Sequence, residues 1–112
     1  MKQITILLAL LIGTDLLANV KNGKTVFAAN CAICHTVNGG RALGPDLNLA
    51  SYTRTKEELE DYTRDPYKYY KTFGYSANAM PTLPLEKKEL KDVTDYIDSL
   101  QPFKKWMKKK KI

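Results

Sequence analysis

Residues 31–35, Cys31-Ala32-Ile33-Cys34-His35, decide how the rest of the chain is read. They close a stretch in which Val20, Gly23, Phe27 and Cys31/Cys34 recur at spacings of three and four, the period of one buried helix face, which predicts a helix from about Lys21 to Cys34. Two thiols three residues apart, followed at once by an imidazole, project to one side of the last turn. Two thioethers can then fix a porphyrin edge while the imidazole reaches the iron from one face, and the spacing is that of covalent haem attachment. A structural zinc site needs four ligands, usually two separated pairs, and the chain holds two Cys and one His in all. A thioredoxin-like dithiol belongs at a strand-to-helix junction, and no strand-like alternation longer than a few residues occurs. A disulfide between Cys31 and Cys34 would close a trivial loop and stabilise little.

An iron held by His35 has a sixth position, and with a single His in the chain a second imidazole cannot fill it. The candidates are Met80, Met107, Met1 if it is retained, or an open site. Met80 stands 45 residues after His35 in Ala79-Met80-Pro81, where Pro81 forces the residue before it into extended backbone and stiffens the loop. Methionine often serves as flexible core filler, but a polar loop is a poor place for filler. Met107 lies among the lysines at the C-terminus, a weaker candidate.

Further from the centre, Thr55-Lys56-Glu57-Glu58 reads as a capping box that opens a second helix. That helix stops before Asp65-Pro66, a pair that caps and starts another short one through Tyr69, Tyr70 and Phe73 to Gly74. A last helix runs from about Glu86 to Leu100, with Leu90, Val93, Ile97 and Leu100 on one face, and ends before Pro102. Between these lie two long polar loops, 36–54 and 74–84, of a length that implies a wrapped ligand or a functional surface. Tyr52, Tyr67, Tyr69, Tyr70, Tyr75 and Arg41 could reach such a ligand, but core packing or ordinary exposure accounts for most of them.

The 112 residues give room for one domain, and 44% hydrophobic with 27% charged residues is too ordinary a composition for a disordered or fibrous chain. Residues 1–18 carry Lys2 and then an apolar run from Ile4 to Gly13, too short for the ~20 residues of a membrane span, and read as a secretory signal. Cleavage after Ala18 would put Leu16 where a small residue is preferred, and an uncleaved anchor is the alternative. The exported part is of a size that buries only about 60–65% of the surface of its unfolded chain, so a bound group that completes the core is expected. The net charge of +6 resides in six lysines of the last nine residues, since basic and acidic groups balance over residues 1–103. Phe103, Trp106 and Ile112 interleave with these lysines. Residues 103–112 thus suit an anionic membrane surface, with a solvated end as the plainer reading and no nucleic acid expected in an exported chain.

Taken together, Gly23-xxx-Phe27-xxx-Cys31-Ala-Ile-Cys34-His35, Gly44-Pro45-Asp46-Leu47, Met80-Pro81 and Val93-xx-Tyr96-Ile97-xx-Leu100 resemble the class I c-type cytochromes, in particular the small single-haem bacterial ones. The resemblance covers about Val20 to Leu100. It implies an all-α, cytochrome c-like fold over residues 19–102, helices wrapped round one covalently attached haem c, with Cys31, Cys34, His35 and Met80 binding the cofactor and His35 and Met80 on the iron. It further implies that the N- and C-terminal helices cross closely, Gly23 and Phe27 meeting Tyr96 and Ile97, and that the Pro45 carbonyl accepts a hydrogen bond from the His35 ring. Two features depart from the family: Pro84-Leu85-Glu86 replaces the usual Ser or Thr cap of the last helix, and the lysine-rich end extends past the family core.

A six-coordinate haem has no vacant position for substrate, so the expected function is not enzymatic. It is a periplasmic carrier of single electrons between respiratory redox partners, expected as a monomer and, through its tail, at the membrane surface. Methionine ligation raises the potential of such a centre. The alternatives are a haem-c subunit of a larger oxidoreductase, or a haem enzyme or sensor whose sixth ligand is displaceable.

Overall fold

In the computed structural model, residues 18–103 are described, and every regular element among them is a helix. The leader and the tail read from the sequence lie, apart from Ala18 and Phe103, outside the described residues, as do Met1 and Met107. No described helix is long and apolar enough to cross a membrane.

Helix α1 is described over residues 18–30 and buries Gly23, Val26 and Phe27, the face expected from the spacing. It ends four residues earlier than the sequence predicts. The amides of Cys31 and Ala32 both turn onto the Phe27 carbonyl (2.8 and 3.1 Å), and those of Cys34 and His35 onto the Cys31 carbonyl (3.0 and 2.9 Å). The two cysteines and the histidine therefore occupy a tight turn after the helix rather than its last turn.

Helix α2 (Leu47–Thr53) lies inside the first of the two stretches expected to be loop. Asp46 caps it, accepting the Asn48 amide, and Leu47 and Ser51 turn inward at a helical spacing. An Asp just before a Leu-x-x-Ala-Ser run is a start signal; the seven-residue length hid it among the turn residues around it. Helix α3 (Lys56–Arg64) opens on the predicted capping box: the Glu58 amide donates to the Thr55 hydroxyl (3.1 Å) and the Thr55 amide to the Glu58 carboxylate (2.9 Å). Helix α4 (Pro66–Tyr69) starts at a buried Pro66 behind Asp65. Winding continues beyond it to Gly74, whose φ of +90° ends it, with Tyr75 donating to the Tyr70 carbonyl (2.9 Å) and Gly74 to that of Lys71 (3.0 Å). Helix α5 (Lys87–Ser99) starts from Glu86, whose amide donates to the Glu89 carboxylate at 3.0 Å. Glu89 thus supplies the reach-back that a Ser or Thr cap ordinarily accompanies.

Helix α5 is the spine of the fold. Leu90, Val93 and Ile97 enter the core with Val26, Phe27, Leu47 and Leu59 from the other helices and Cys31 from the turn after α1. Its polar residues Asp92, Thr94 and Asp95 are buried too, because neighbouring helices cover its flanks. Asp92 accepts from Asn22 on α1 and from Lys88 (both 2.7 Å), and Asp95 pairs with Lys56 on α3. Where α1 crosses α5, a Cβ on Gly23 would overlap the Asp92 carbonyl and lie 2.8 Å from the Tyr96 Cβ. Phe27 packs on Tyr96 with ring centroids 5.7 Å apart. The crossing implied by the resemblance is present, and the absent side chain of Gly23 is what lets the backbones meet.

Candidate functional site

The turn after α1 carries two free thiols and an imidazole within five residues, Cys31 buried, Cys34 and His35 half-buried. Burial, and to a smaller extent the neighbouring Cys34, pushes the Cys31 thiol up to about 11. The nucleophile in thiol–disulfide exchange is the thiolate, so Cys31 is a poor attacking group.

The loop that follows folds back over the turn and fixes the imidazole. Gly44 donates to the Cys34 carbonyl (2.7 Å) and Leu47 to that of Thr36 (2.9 Å). The Asp46 carboxylate gathers the amides of Asn38 (2.8 Å) and Gly40 (2.9 Å) as well as that of Asn48. Those backbone bonds, from Asn38 first, hold the Asp46 carboxyl below the usual carboxylate range despite an opposing push from burial. So tied, the loop brings the Pro45 carbonyl within 2.9 Å of His35 Nδ1. A carbonyl only accepts, so Nδ1 is the donor, and in the neutral imidazole the lone pair then lies on Nε2, the arrangement of a metal-binding histidine. Gly44 lies against the same ring: a Cβ there would stand 2.7 Å from Nδ1 and 3.0 Å from Nε2.

Met80 is half-buried on the irregular segment that leads into α5. Its backbone is held from both sides by Asn78, whose Nδ2 donates to the Met80 carbonyl (2.8 Å) and whose Oδ1 accepts the Met80 amide (3.3 Å). The same Oδ1 accepts the Tyr62 hydroxyl from α3 (3.0 Å). The chain thus brings Cys31, Cys34 and His35 together in one turn, whereas the hydrogen bonds at Met80 run to Asn78.

The set fits a haem: two thiols able to become thioethers, an imidazole with the correct nitrogen free, and a methionine on a separately braced segment. Ile33 and Leu43, 84% and 78% exposed beside the turn, add apolar surface of the kind a flat macrocycle covers. Among the described residues no cluster of three or more His, Cys, Asp or Glu offers a competing metal site.

The family model for cytochrome c matches residues 20–101. The chain belongs to the cytochrome c family. The cytochrome c6 of Thermosynechococcus vestitus is 35% identical over 96 residues, covering 81% of this chain and 79% of that protein. The cytochrome c6 of Synechococcus elongatus is 35% identical over 85 residues (71% and 88%), and that of Diacronema lutheri 31% over 81 residues (70% and 93%). No solved structure matches the chain significantly. This cytochrome is a small class I c-type protein with the all-α fold of its family; it carries one covalently attached haem c and transfers electrons rather than catalysing a reaction.

Asn78 and Tyr62 had no role in the sequence pattern, and Asp46 entered it only as part of Gly44-Pro45-Asp46-Leu47. An Asn two residues before a braced methionine is a recognisable turn signal, and Asp46 is a recognisable cap. Nothing local marks Tyr62, which reaches Asn78 across 16 residues.

Proposed function

We propose that this cytochrome is a periplasmic carrier of single electrons, in which Cys31 and Cys34 would hold the haem through thioethers and His35 Nε2 and the Met80 sulfur would be the iron ligands. The observation that carries the reading is the bond between His35 Nδ1 and the Pro45 carbonyl, because it leaves the other ring nitrogen as a ligand of fixed direction. The two cysteines are the only ones in the chain. Residues 1–18 act as the export signal, 19–102 as the cytochrome domain and 103–112 as a basic tail that touches an anionic membrane surface.

When bound, the haem supplies a one-electron iron couple. The chain does the rest: Pro45 holds the imidazole, and Pro81 and Asn78 hold the methionine segment, so that the side chains that would ligate the iron are braced before it is bound. A methionine ligand favours the reduced state, which suits a carrier accepting from donors of lower potential; each ~59 mV of difference biases a one-electron transfer tenfold. Respiratory redox proteins serve as donor and acceptor, meeting a monomeric carrier through a small, short-lived interface.

The test is the absorption spectrum of protein matured in its native host. One porphyrin mass should be added to the polypeptide. The weak ferric band of sulfur-to-iron ligation should disappear in Met80→Ala and persist in Met107→Ala. Carbon monoxide should bind the ferrous form slowly or not at all at neutral pH; rapid binding would replace the sealed carrier with a haem sensor or enzyme.

A further inference from the structure

The segment bearing Met80 has little of its own to hold it in place. Among the described residues, no backbone-to-backbone hydrogen bond joins residues 76–82 to the rest of the fold. A ligand on such a segment would be dragged off by the entropy of the loop unless side chains held it. The side chain that does so is Asn78, with both polar atoms engaged on Met80, the amide donating to its carbonyl and the oxygen accepting its N–H.

An Asn that bridges the residue two places on is a common turn device. Here it is anchored from outside the loop. Tyr62 donates to Asn78 Oδ1 from α3, and its ring is itself fixed, stacked on Phe73 with centroids 5.3 Å apart and edge-on to Tyr75 at 5.8 Å. Phe73 is held by Arg54, which donates to its carbonyl at 2.7 Å and lies 4.6 Å over its ring. Helix α3 is in turn tied to α5 by Lys56 and Asp95. A continuous chain of contacts therefore runs from the helical core to the backbone of one methionine. Burial, and then Tyr75, push the Tyr62 hydroxyl above its ordinary value, which keeps it a donor.

We propose that Tyr62 and Asn78 are positioning residues for Met80: Tyr62 orients the Asn78 amide, and that amide sets the backbone from which the thioether reaches the iron. The inference rests on Met80 being the sixth ligand. It makes the sixth position only as firm as this relay. Neither residue touches the iron, and both act through Met80.

The experiment uses ferric holoprotein titrated with imidazole, which takes the iron position only when the methionine has left. Its apparent affinity therefore rises with the methionine-off fraction. Tyr62→Phe keeps the ring packing and removes one hydrogen bond, and should tighten imidazole binding about fivefold; Asn78→Ala removes all three bonds, and should tighten it tenfold or more. Because Tyr62 acts through Asn78, the double variant should match Asn78→Ala alone. Should Asn78→Ala fail to take up haem, Asn78→Asp keeps both acceptor contacts, loses only the donor to Met80, and should still tighten imidazole binding about fivefold.

Single variants within twofold of the parent would overturn the proposal, as would effects of the two substitutions that simply multiply. Met80→Ala separates the two levels. If it removes the sulfur-to-iron band while Tyr62→Phe and Asn78→Ala leave imidazole binding unchanged, the relay is wrong and the ligand assignment stands. If the band survives Met80→Ala, the ligand assignment falls and the relay with it.

Discussion

The orientation of His35 rests on two neighbours, a carbonyl that accepts and a glycine that makes room. Pro45 pulls Nδ1 at 2.9 Å, and Gly44 allows the ring to lie where a Cβ would come within 2.7 Å of the same nitrogen. Gly44→Ala must therefore turn the ring or lift the loop, and either lengthens the Pro45 bond. Outer contacts of this kind are worth about 10–100-fold in ligand strength. In holoprotein the Nδ1 proton of His35 should exchange with water at least tenfold faster in Gly44→Ala, and the midpoint potential should move; a proton resonance and a potential matching the parent would show that the glycine does not matter to the ring. The residue scale also marks what a sequence yields. The spacing of Cys31, Cys34 and His35 is a covalent constraint within five residues and is legible at once. The Tyr62–Asn78 contact exists only after two helices and a loop have packed.

Among the elements, those with both a cap and a periodic face were readable. The Thr55–Glu58 box and the Asp65-Pro66 start are formed, and the Leu90–Val93–Ile97 face is buried. Helix α2 was not, because seven residues give fewer than two full turns of periodicity, and the Asp46 cap also holds two loop amides, so the stretch reads as turn chemistry throughout. The extent of α1 was overestimated for a related reason: the apolar spacing runs on to Cys31 and Cys34, but the amides of Cys31 and Ala32 share the Phe27 carbonyl and the coil tightens. Burial of Asp92 and Asp95 was not legible either: Lys88 pairs with Asp92 one turn away on α5, as it would on an exposed face, while Asn22 and Lys56 come from other helices. The α1–α5 crossing gives the prediction at this scale. Gly23→Ala gains helix propensity of about 1 kcal/mol, yet its Cβ would meet the backbone carbonyl of Asp92, which cannot swing away as a side-chain tip can. Overpacking of a fixed contact costs about 1–3 kcal/mol. The net effect should be a lowered thermal midpoint with an unchanged absorption spectrum; a raised midpoint would mean that the helices part freely.

For the whole molecule, the charges that matter to folding are few and face inward. Asp92 is pushed up by burial, but the hydrogen bonds from Lys88 and Asn22 outweigh this and bring its carboxyl below the ordinary 3.8. A carboxyl depressed in the folded state stabilises it above the unfolded pKa, and that stabilisation is lost as pH falls through the folded value. Lys56 has the opposite sign. Asp95 raises it above 10.5, against a smaller effect of burial, so its contribution is present below that value and fades as pH climbs past it. Thermal midpoints should be level through neutrality, fall below about pH 4 and fall again in strong alkali. Asn22→Ala should lower the plateau and make the acid arm shallower, because Asp92 then gains less on folding; parallel curves for the two proteins would remove Asn22 from this account. Outside the core, the charge is distributed differently. Residues 1–103 are balanced, and the excess of six lysines lies wholly in residues 104–112. Each lysine near an anionic leaflet is worth about 1 kcal/mol at most, and the attraction decays within a Debye length of about 8 Å at physiological salt. Holoprotein should therefore sediment with vesicles containing phosphatidylserine at low ionic strength, come off as salt is raised, and ignore vesicles of phosphatidylcholine alone. A chain ending at Phe103 should stay in solution with both. Equal binding of the shortened chain would move the membrane contact from the tail to the cytochrome domain, where the balanced charge gives no reason to expect it.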